Sequence, residues 1–215
     1  MSLKLYYHPL SSYCWKVLIA LYENQTPFEP QLVDLMEEKS RKAFLQIWPL
    51  GKFPVLRDEM RDAMVPESSI ILEYLDQHYP GKVRFLPSDP DVCRQTRFHD
   101  RFYDLYVHEP MQKMVFDKMR PEGQKDALGV QQAKARLETA LGMIERHMNG
   151  KTWVMGEAFT LADCAAAPAL FYADKFVPLG KPYPNVASYL ERLKARPSFA
   201  RVLQEAQPYF HLFPG

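Results

Sequence analysis

Leu3-Lys4-Leu5-Tyr6-Tyr7-His8-Pro9-Leu10-Ser11-Ser12-Tyr13-Cys14-Trp15-Lys16-Val17 reads as a strand, a break and a helix start in fifteen residues. Leu3 to Tyr7 is a short β-prone run, and His8-Pro9-Leu10 stops it. Ser11 has the type and place of a helix N-cap. Behind it Val17, Leu18, Leu21 and Tyr22 recur at helical spacing. A strand feeding directly into an amphipathic helix is the first half of a βαβ unit.

The following residues continue that pattern. Pro27 to Val33 is predicted as a second strand and Glu37 to Gln46 as a short helix. Pro49-Leu50-Gly51 turns the chain. Val55-Leu56-Arg57 and Ala63-Met64-Val65 read as two short strands joined by the charged loop Asp58 to Asp62. Pro66-Glu67-Ser68 opens a third helix that buries Ile70, Ile71, Tyr74 and Leu75. The order βαβ, then αββα, implies a mixed sheet with covered faces. Breakers then crowd between Tyr79 and Pro90, and beyond them almost everything reads as helix. One helix is expected from Pro90 to Met119, kinked at Pro110, and another from Lys125 to Met148. A third starts at Thr160, and shorter ones cover Val186–Ala195 and Ser198–Gln207. The expected division is an α/β domain over residues 1–80, a linker over 81–90 and an all-helical domain over 91–215.

Composition narrows the function. With 215 residues, 47% of them apolar and 25% charged, the chain is long enough for a sizeable core without metals or disulfides. A net charge of +1 argues against a nucleic-acid partner. No apolar run approaches the length of a membrane helix, and Met1 to Lys4 lacks the start of a signal peptide, so a cytoplasmic location is expected. Cys14, Cys93 and Cys164 have no paired spacing and read as free thiols. No His-x-x-x-His pair or local cysteine cluster suggests a metal.

Four segments resemble one family. Ser11-Ser12-Tyr13-Cys14-Trp15-Lys16-Val17 is similar to the active-site start of zeta- and theta-class glutathione transferases. Pro49-Leu50-Gly51-Lys52-Phe53-Pro54-Val55-Leu56 resembles the family's turn before its third strand. Glu67-Ser68-Ser69-Ile70-Ile71-Leu72-Glu73-Tyr74-Leu75 resembles its Glu-Ser signature and the helix that follows. Phe159-Thr160-Leu161-Ala162-Asp163 resembles its helix-capping segment, a stability element worth ~1 kcal/mol. The resemblance spans the chain. It implies a thioredoxin-like first domain, a helical second domain, glutathione as cosubstrate, no metal, and a homodimer.

It also implies roles. A cis bond before Pro54 would turn the backbone of Phe53 toward the ligand, to pair with the cysteinyl backbone of glutathione as a strand would. Glu67 and Ser68 stand at a predicted helix N-terminus, where free N–H groups and the dipole favour an anion, here the γ-glutamyl carboxylate. The carboxylate of Glu67 suits the ligand's ammonium. Lys52 and Lys39 are basic residues for the same groove, Lys39 for the glycine carboxylate. Ser11 is the catalytic candidate, with Ser12 and Tyr7 as alternatives. An unperturbed thiol titrates near 8.5, so a hydroxyl donor and a helix N-terminus must depress it, and two pH units correspond to ~2.7 kcal/mol. Leu10, Tyr13, Tyr103, Tyr106 and Val107 are candidates for the wall of an apolar electrophile pocket. Each residue has a plainer use: cap, solvated lysine or core packing.

Two departures matter. Trp48 stands where the family commonly has Asn, and Tyr13 replaces the cysteine of the zeta-class Ser-Ser-Cys segment, which counts against maleyl isomerisation. Cys14 forms Ser-x-x-Cys, so no resolving disulfide is available within the segment, and it is expected to be packed and inert. The expected activity is conjugation of the glutathione thiolate to small apolar electrophiles in detoxification. The alternatives are a glutathione-dependent isomerase, dehalogenase or peroxidase on the same fold, or a non-catalytic binding module.

Overall fold

The computed structural model describes residues 3–214; Met1, Ser2 and Gly215, which fall within the expected domain bounds and the expected leaderless start, lie outside the described residues. The first part runs β1 (Leu3–Tyr7), α1 (Ser12–Glu23), β2 (Glu29–Leu32), α2 (Glu38–Ile47), β3 (Val55–Asp58), β4 (Ala63–Pro66) and α3 (Ser68–His78). The four strands form one sheet in the order β2-β1-β3-β4, with β1 parallel to β2 and antiparallel to β3, and β3 antiparallel to β4. This is the thioredoxin-like α/β arrangement. The pleat sorts the side chains: Leu3 and Leu5 are buried with Leu56 and Val65, against α1 and α3. Pro30 falls in β2, an edge strand, where its missing N–H breaks no central ladder.

The second part is helical: α4 (Pro90–Phe102), a π-helical turn (Tyr103–His108), α5 (Glu109–Lys118), α6 (Ala127–His147), α7 (Leu161–Ala173), α8 (Pro184–Ala195), α9 (Pro197–Ala206) and a 3-10 segment (Gln207–Leu212). The long helix expected from Pro90 to Met119 is interrupted, but not at Pro110. The break is the π-helical turn just before it, and Pro110 lies in the first turn of α5. A proline ring clashes with the carbonyl four residues back, which here is that of Tyr106, inside the widened turn.

Helix α7 is apolar on nearly all sides and almost wholly buried, as the central helix of a bundle must be. Trp15 of α1 is fully buried between the domains, with Tyr172 of α7 stacked on it at 4.8 Å and Phe171 at 5.2 Å. The start of α7 is held by Asp163. Its carboxylate accepts from the N–H of Thr160 (2.8 Å), the hydroxyl of Thr160 (3.1 Å), the N–H of Val154 (2.9 Å) and the hydroxyl of Tyr189 (2.7 Å). The capping segment thus does more than close a helix: it ties the loop before α7 and helix α8 to one buried anion. Burial raises the pKa of this carboxyl, while those four hydrogen bonds oppose the rise.

The two ends of the capping segment should therefore differ in importance. Thr160→Ala is expected to cost about 1 kcal/mol, the ordinary loss of a cap. Asp163→Ala strands several buried donors and is expected to cost about 3 kcal/mol or more in urea unfolding. Equal losses would show that Asp163 acts only as a cap.

Candidate active site

Strand register brings the polar candidates together. Tyr6 is paired with Val55, and Val55 with Pro66. The chain leaving β1 at His8, the chain entering β3 at Pro54 and the chain leaving β4 at Glu67 therefore emerge side by side at one end of the sheet. The N–H of Val33 bonds the carbonyl of Tyr7 at 2.9 Å, so the segment leading to Lys39 starts at the same end.

Ser11 is the N-cap of α1, and its Oγ accepts the N–H of Cys14 at 3.3 Å. Its hydroxyl proton faces the sulfur of Cys14, a weak acceptor that a stronger one at the helix start would displace. Phe53–Pro54 is a cis peptide bond. The Phe53 ring is anchored from both sides, by Phe44 at 6.3 Å and by His8 stacked at 5.9 Å, within a small second core of Val33, Phe44 and Val55. Glu67 is the N-cap of α3 and lies at φ +69°, in the left-handed region that a side chain adopts only at a cost of about 1–3 kcal/mol. The chain turns there from β4 into α3, so the α3 N-terminus stands at this end of the sheet. Ser68 is buried at the first position of α3.

The charges at this end of the sheet are unspent. Among the described residues, the carboxylate of Glu67 has no cation within 4 Å, and Lys39 and Lys52 have no carboxylate. The hydroxyl of Ser68 likewise takes no partner. By contrast, Arg97 and Glu73 spend their charges on each other in a two-point contact. Two cations, a carboxylate, the hydroxyl of Ser68 and a helix N-terminus left unpaired at one end of a sheet suit a ligand with charge at both ends.

The chain belongs to the glutathione S-transferase family. The family model for the glutathione S-transferase N-terminal domain matches residues 5–83, and that for the C-terminal domain matches residues 102–197. A probable maleylacetoacetate isomerase of Caenorhabditis elegans is 31% identical over 209 residues, covering 95% of this chain and 94% of that one. The structure of a glutathione S-transferase from Methylobacillus flagellatus with glutathione bound superposes with a TM-score of 0.85 at 27% identity, over 94% of this chain and 98% of that one. One from Methylobacterium radiotolerans, in complex with glutathione sulfonate, gives 0.82 at 30% identity, over 93% of each. The chain is thus a glutathione transferase by family, fold and enzyme class.

On this transferase, several expected site residues take other places. Ser12 points away from the groove: it is 7% exposed, and its Oγ lies 2.9 Å from Nε2 of His108 in the helical domain. Tyr7 shares the face of Leu3 and Leu5, packs against the main core, and has its phenol pKa raised by burial. Tyr103 and Val107 are 1% and 0% exposed, so they are core residues and not a pocket wall. Tyr106 is exposed, but it lines a different groove, between α4–α5 and α6. The π-helical turn packs against α7, and its wider winding carries Tyr106 off the buried face that Tyr103 and Val107 share. Tyr13 is half-buried, edge-on to the ring of His108 at 4.4 Å. Leu10 is fixed by its carbonyl, which accepts from the hydroxyl of Tyr172 at 2.8 Å.

Sequence reasoning missed His8 and the chain's end. The His8 ring meets Tyr209 edge-on at 6.2 Å, Phe210 lies 6.2 Å from Trp15, and Phe213 stacks on Tyr172 at 5.1 Å. The aromatic tail thus returns to the first domain beside Leu10. Its only sequence signal was the aromatic spacing of Tyr209, Phe210 and Phe213 after the last predicted helix.

Cys14 is fully buried, and burial pushes its thiol up to about 12. Cys164 is buried too, whereas Cys93 is partly exposed on α4. A thiol reagent at pH 8 is expected to modify Cys93 alone in the folded protein, and all three thiols after unfolding. Rapid modification of Cys14 in the native state would contradict its placement.

Proposed function

We propose that this transferase activates glutathione through Ser11 and adds its sulfur to small apolar electrophiles. The observation that carries the reading is the set of polar groups at one sheet end: Lys39, Lys52, Glu67 and Ser68, unpaired among the described residues, with Ser11 at the start of α1. In this reading Lys39 and Lys52 meet the glycine carboxylate, the backbone of Phe53 beside Pro54 meets the cysteinyl unit, and Glu67 with Ser68 holds the γ-glutamyl end. The sulfur then rests at the N-terminus of α1, where the proton of Ser11 and the helix dipole stabilise the thiolate. Binding supplies orientation, and the site supplies charge stabilisation. No step needs a metal. Leu10, Tyr13 and the aromatic tail supply apolar surface beside the sulfur. Glutathione is the cosubstrate, the cytoplasm the proposed location and detoxification the proposed role. The proposed domain division is 1–80, 81–90 and 91–215.

We also propose a homodimer through the groove of about 1010 Å³ between α4–α5 and α6. Phe98, Leu105, Tyr106 and Met143 line it and are each 43–54% exposed. That much contiguous apolar surface favours a protein partner, and a second copy of this chain is the one proposed.

Ser11→Ala is expected to keep the affinity for glutathione within about threefold. The thiol of bound glutathione, followed by thiolate absorbance, should titrate about one to two pH units higher, and turnover at neutral pH should fall ten- to hundredfold. Unchanged turnover would move the activating role elsewhere. A panel of electrophiles and hydroperoxides separates conjugation from isomerisation and peroxide reduction. For the groove, Tyr106→Glu is expected to halve the mass measured by light scattering, and an unchanged mass would exclude this face as the interface.

A further inference from the structure

Asp100, Asp104 and His108 stand at four-residue intervals across the end of α4 and the π-helical turn. In a regular α-helix, eight residues drift roughly 80° off a common face. The wider π turn advances less per residue and keeps all three facing α1. There they meet Lys16, Ser12 and Tyr13. The ammonium of Lys16, 1% exposed, pairs with Asp100 and lies 3.1 Å from Asp104. It also donates to the hydroxyl of Ser69 at 2.8 Å, and that hydroxyl donates to Asp100 at 2.7 Å. Beside this cluster His108 and Ser12 share a buried hydrogen bond of 2.9 Å, and His108 lies edge-on to Tyr13.

These partners have one thing in common. Ser12 follows Ser11 in the chain, and Ser69 follows Ser68. The cluster therefore grips the first turn of α1 and the first turn of α3 one residue away from each group proposed to hold glutathione, and fixes both to one face of the end of α4 and the π-helical turn. Resting on that proposed glutathione site, we infer that the buried cluster of Lys16, Ser69, Asp100 and Asp104, together with the Ser12–His108 bond, positions the two helix N-termini for the reaction. None of these side chains is placed to touch the reacting sulfur; they act through Ser11 and Ser68. Burial makes the arrangement stiff. Water cannot compete for the ammonium, and moving any member leaves a buried charge or donor unpaired. Affinity for the tripeptide comes from many contacts. Thiolate stabilisation depends on one hydroxyl and one helix end, and is the more sensitive to displacements well under 1 Å.

Lys16 is too deeply paired to be a clean probe, because its removal strands two carboxylates. The test uses the lighter bond. In His108→Leu and in Ser12→Ala, the thiol of bound glutathione should titrate about one pH unit higher and kcat should fall about tenfold. Affinity for S-methylglutathione, which has no thiol to ionise, should stay within twofold. The double variant should lose no more than either single one. His108→Gln, whose amide can still donate to Ser12, should recover most of kcat and the lower thiol pKa. If both single variants leave the thiol titration and kcat unchanged, the inference is wrong. It is equally wrong if they lose S-methylglutathione affinity in proportion to kcat without rescue by Gln, since that is the signature of general loosening. Absence of S-methylglutathione binding or of a thiolate signal in the unaltered protein would remove the glutathione site and this inference together. A signal that the variants do not move would remove the inference alone.

Discussion

The ammonium of Lys16 lies where α1, α3 and the π-helical turn meet, and the geometry of this transferase is arranged around satisfying it. An isolated ammonium at 1% exposure would be several kcal/mol unfavourable. It is tolerated because Asp100, Asp104 and Ser69 converge on it from the second domain and from α3. Their convergence requires the helical domain to sit at one angle to the sheet, and Trp15 fills the remaining space against Tyr172 and Phe171. Apolar packing supplies most of the attraction between the domains. The buried charges restrict it to one register, because sliding the helices would leave anions and cation unpaired.

The groove obeys the opposite rule. Inside the interface the ammonium of Lys16 and the carboxylates of Asp100 and Asp104 are paired, although Nδ1 of His108 and the hydroxyl of Tyr103 are not, whereas at the sheet end Lys39, Lys52, Glu67 and Ser68 are all left without partners among the described residues. Glu67 even holds a left-handed backbone conformation to present the start of α3. Stability alone would favour pairing Glu67 with a neighbouring lysine and a glycine at its φ of +69°. A surface that forgoes both is organised around something it must bind. The contrast between a paired ion cluster inside and unpaired groups at the rim is the support for the proposed site, more than any one residue is.

Much of this was legible in the chain itself. The helix-capping serine, the breakers around Pro54, the Glu-Ser start of α3 and the shift in texture after Tyr79 are local signals, and each reports a backbone event within a few residues of itself. Where the sequence misleads, the cause is packing it does not show. Tyr103, Tyr106 and Val107 fall on one face of a continuous helix, whereas the π-helical turn buries Tyr103 and Val107 and leaves Tyr106 exposed. Nothing in residues 103–108 announces that turn except Pro110 shortly after it, which reads just as well as a simple kink. Ser12 stands in sequence as the adjacent alternative to Ser11, and the structure sets it apart by burial and by its bond to His108.

The sequence by itself determined the order of elements, the two-part composition and the residues gathered at the end of the sheet, because these follow from propensity, periodicity and strand pairing over short range. Only the tertiary structure decided which serine faces the groove, which tyrosines pack inward, and that Lys16 joins two helix starts to the second domain. Those outcomes depend on contacts between residues as far apart as Ser12 and His108, or Leu10 and Tyr172. Residues so distant along the chain meet only once the domains have packed, and no local pattern encodes which polar group will find which partner there.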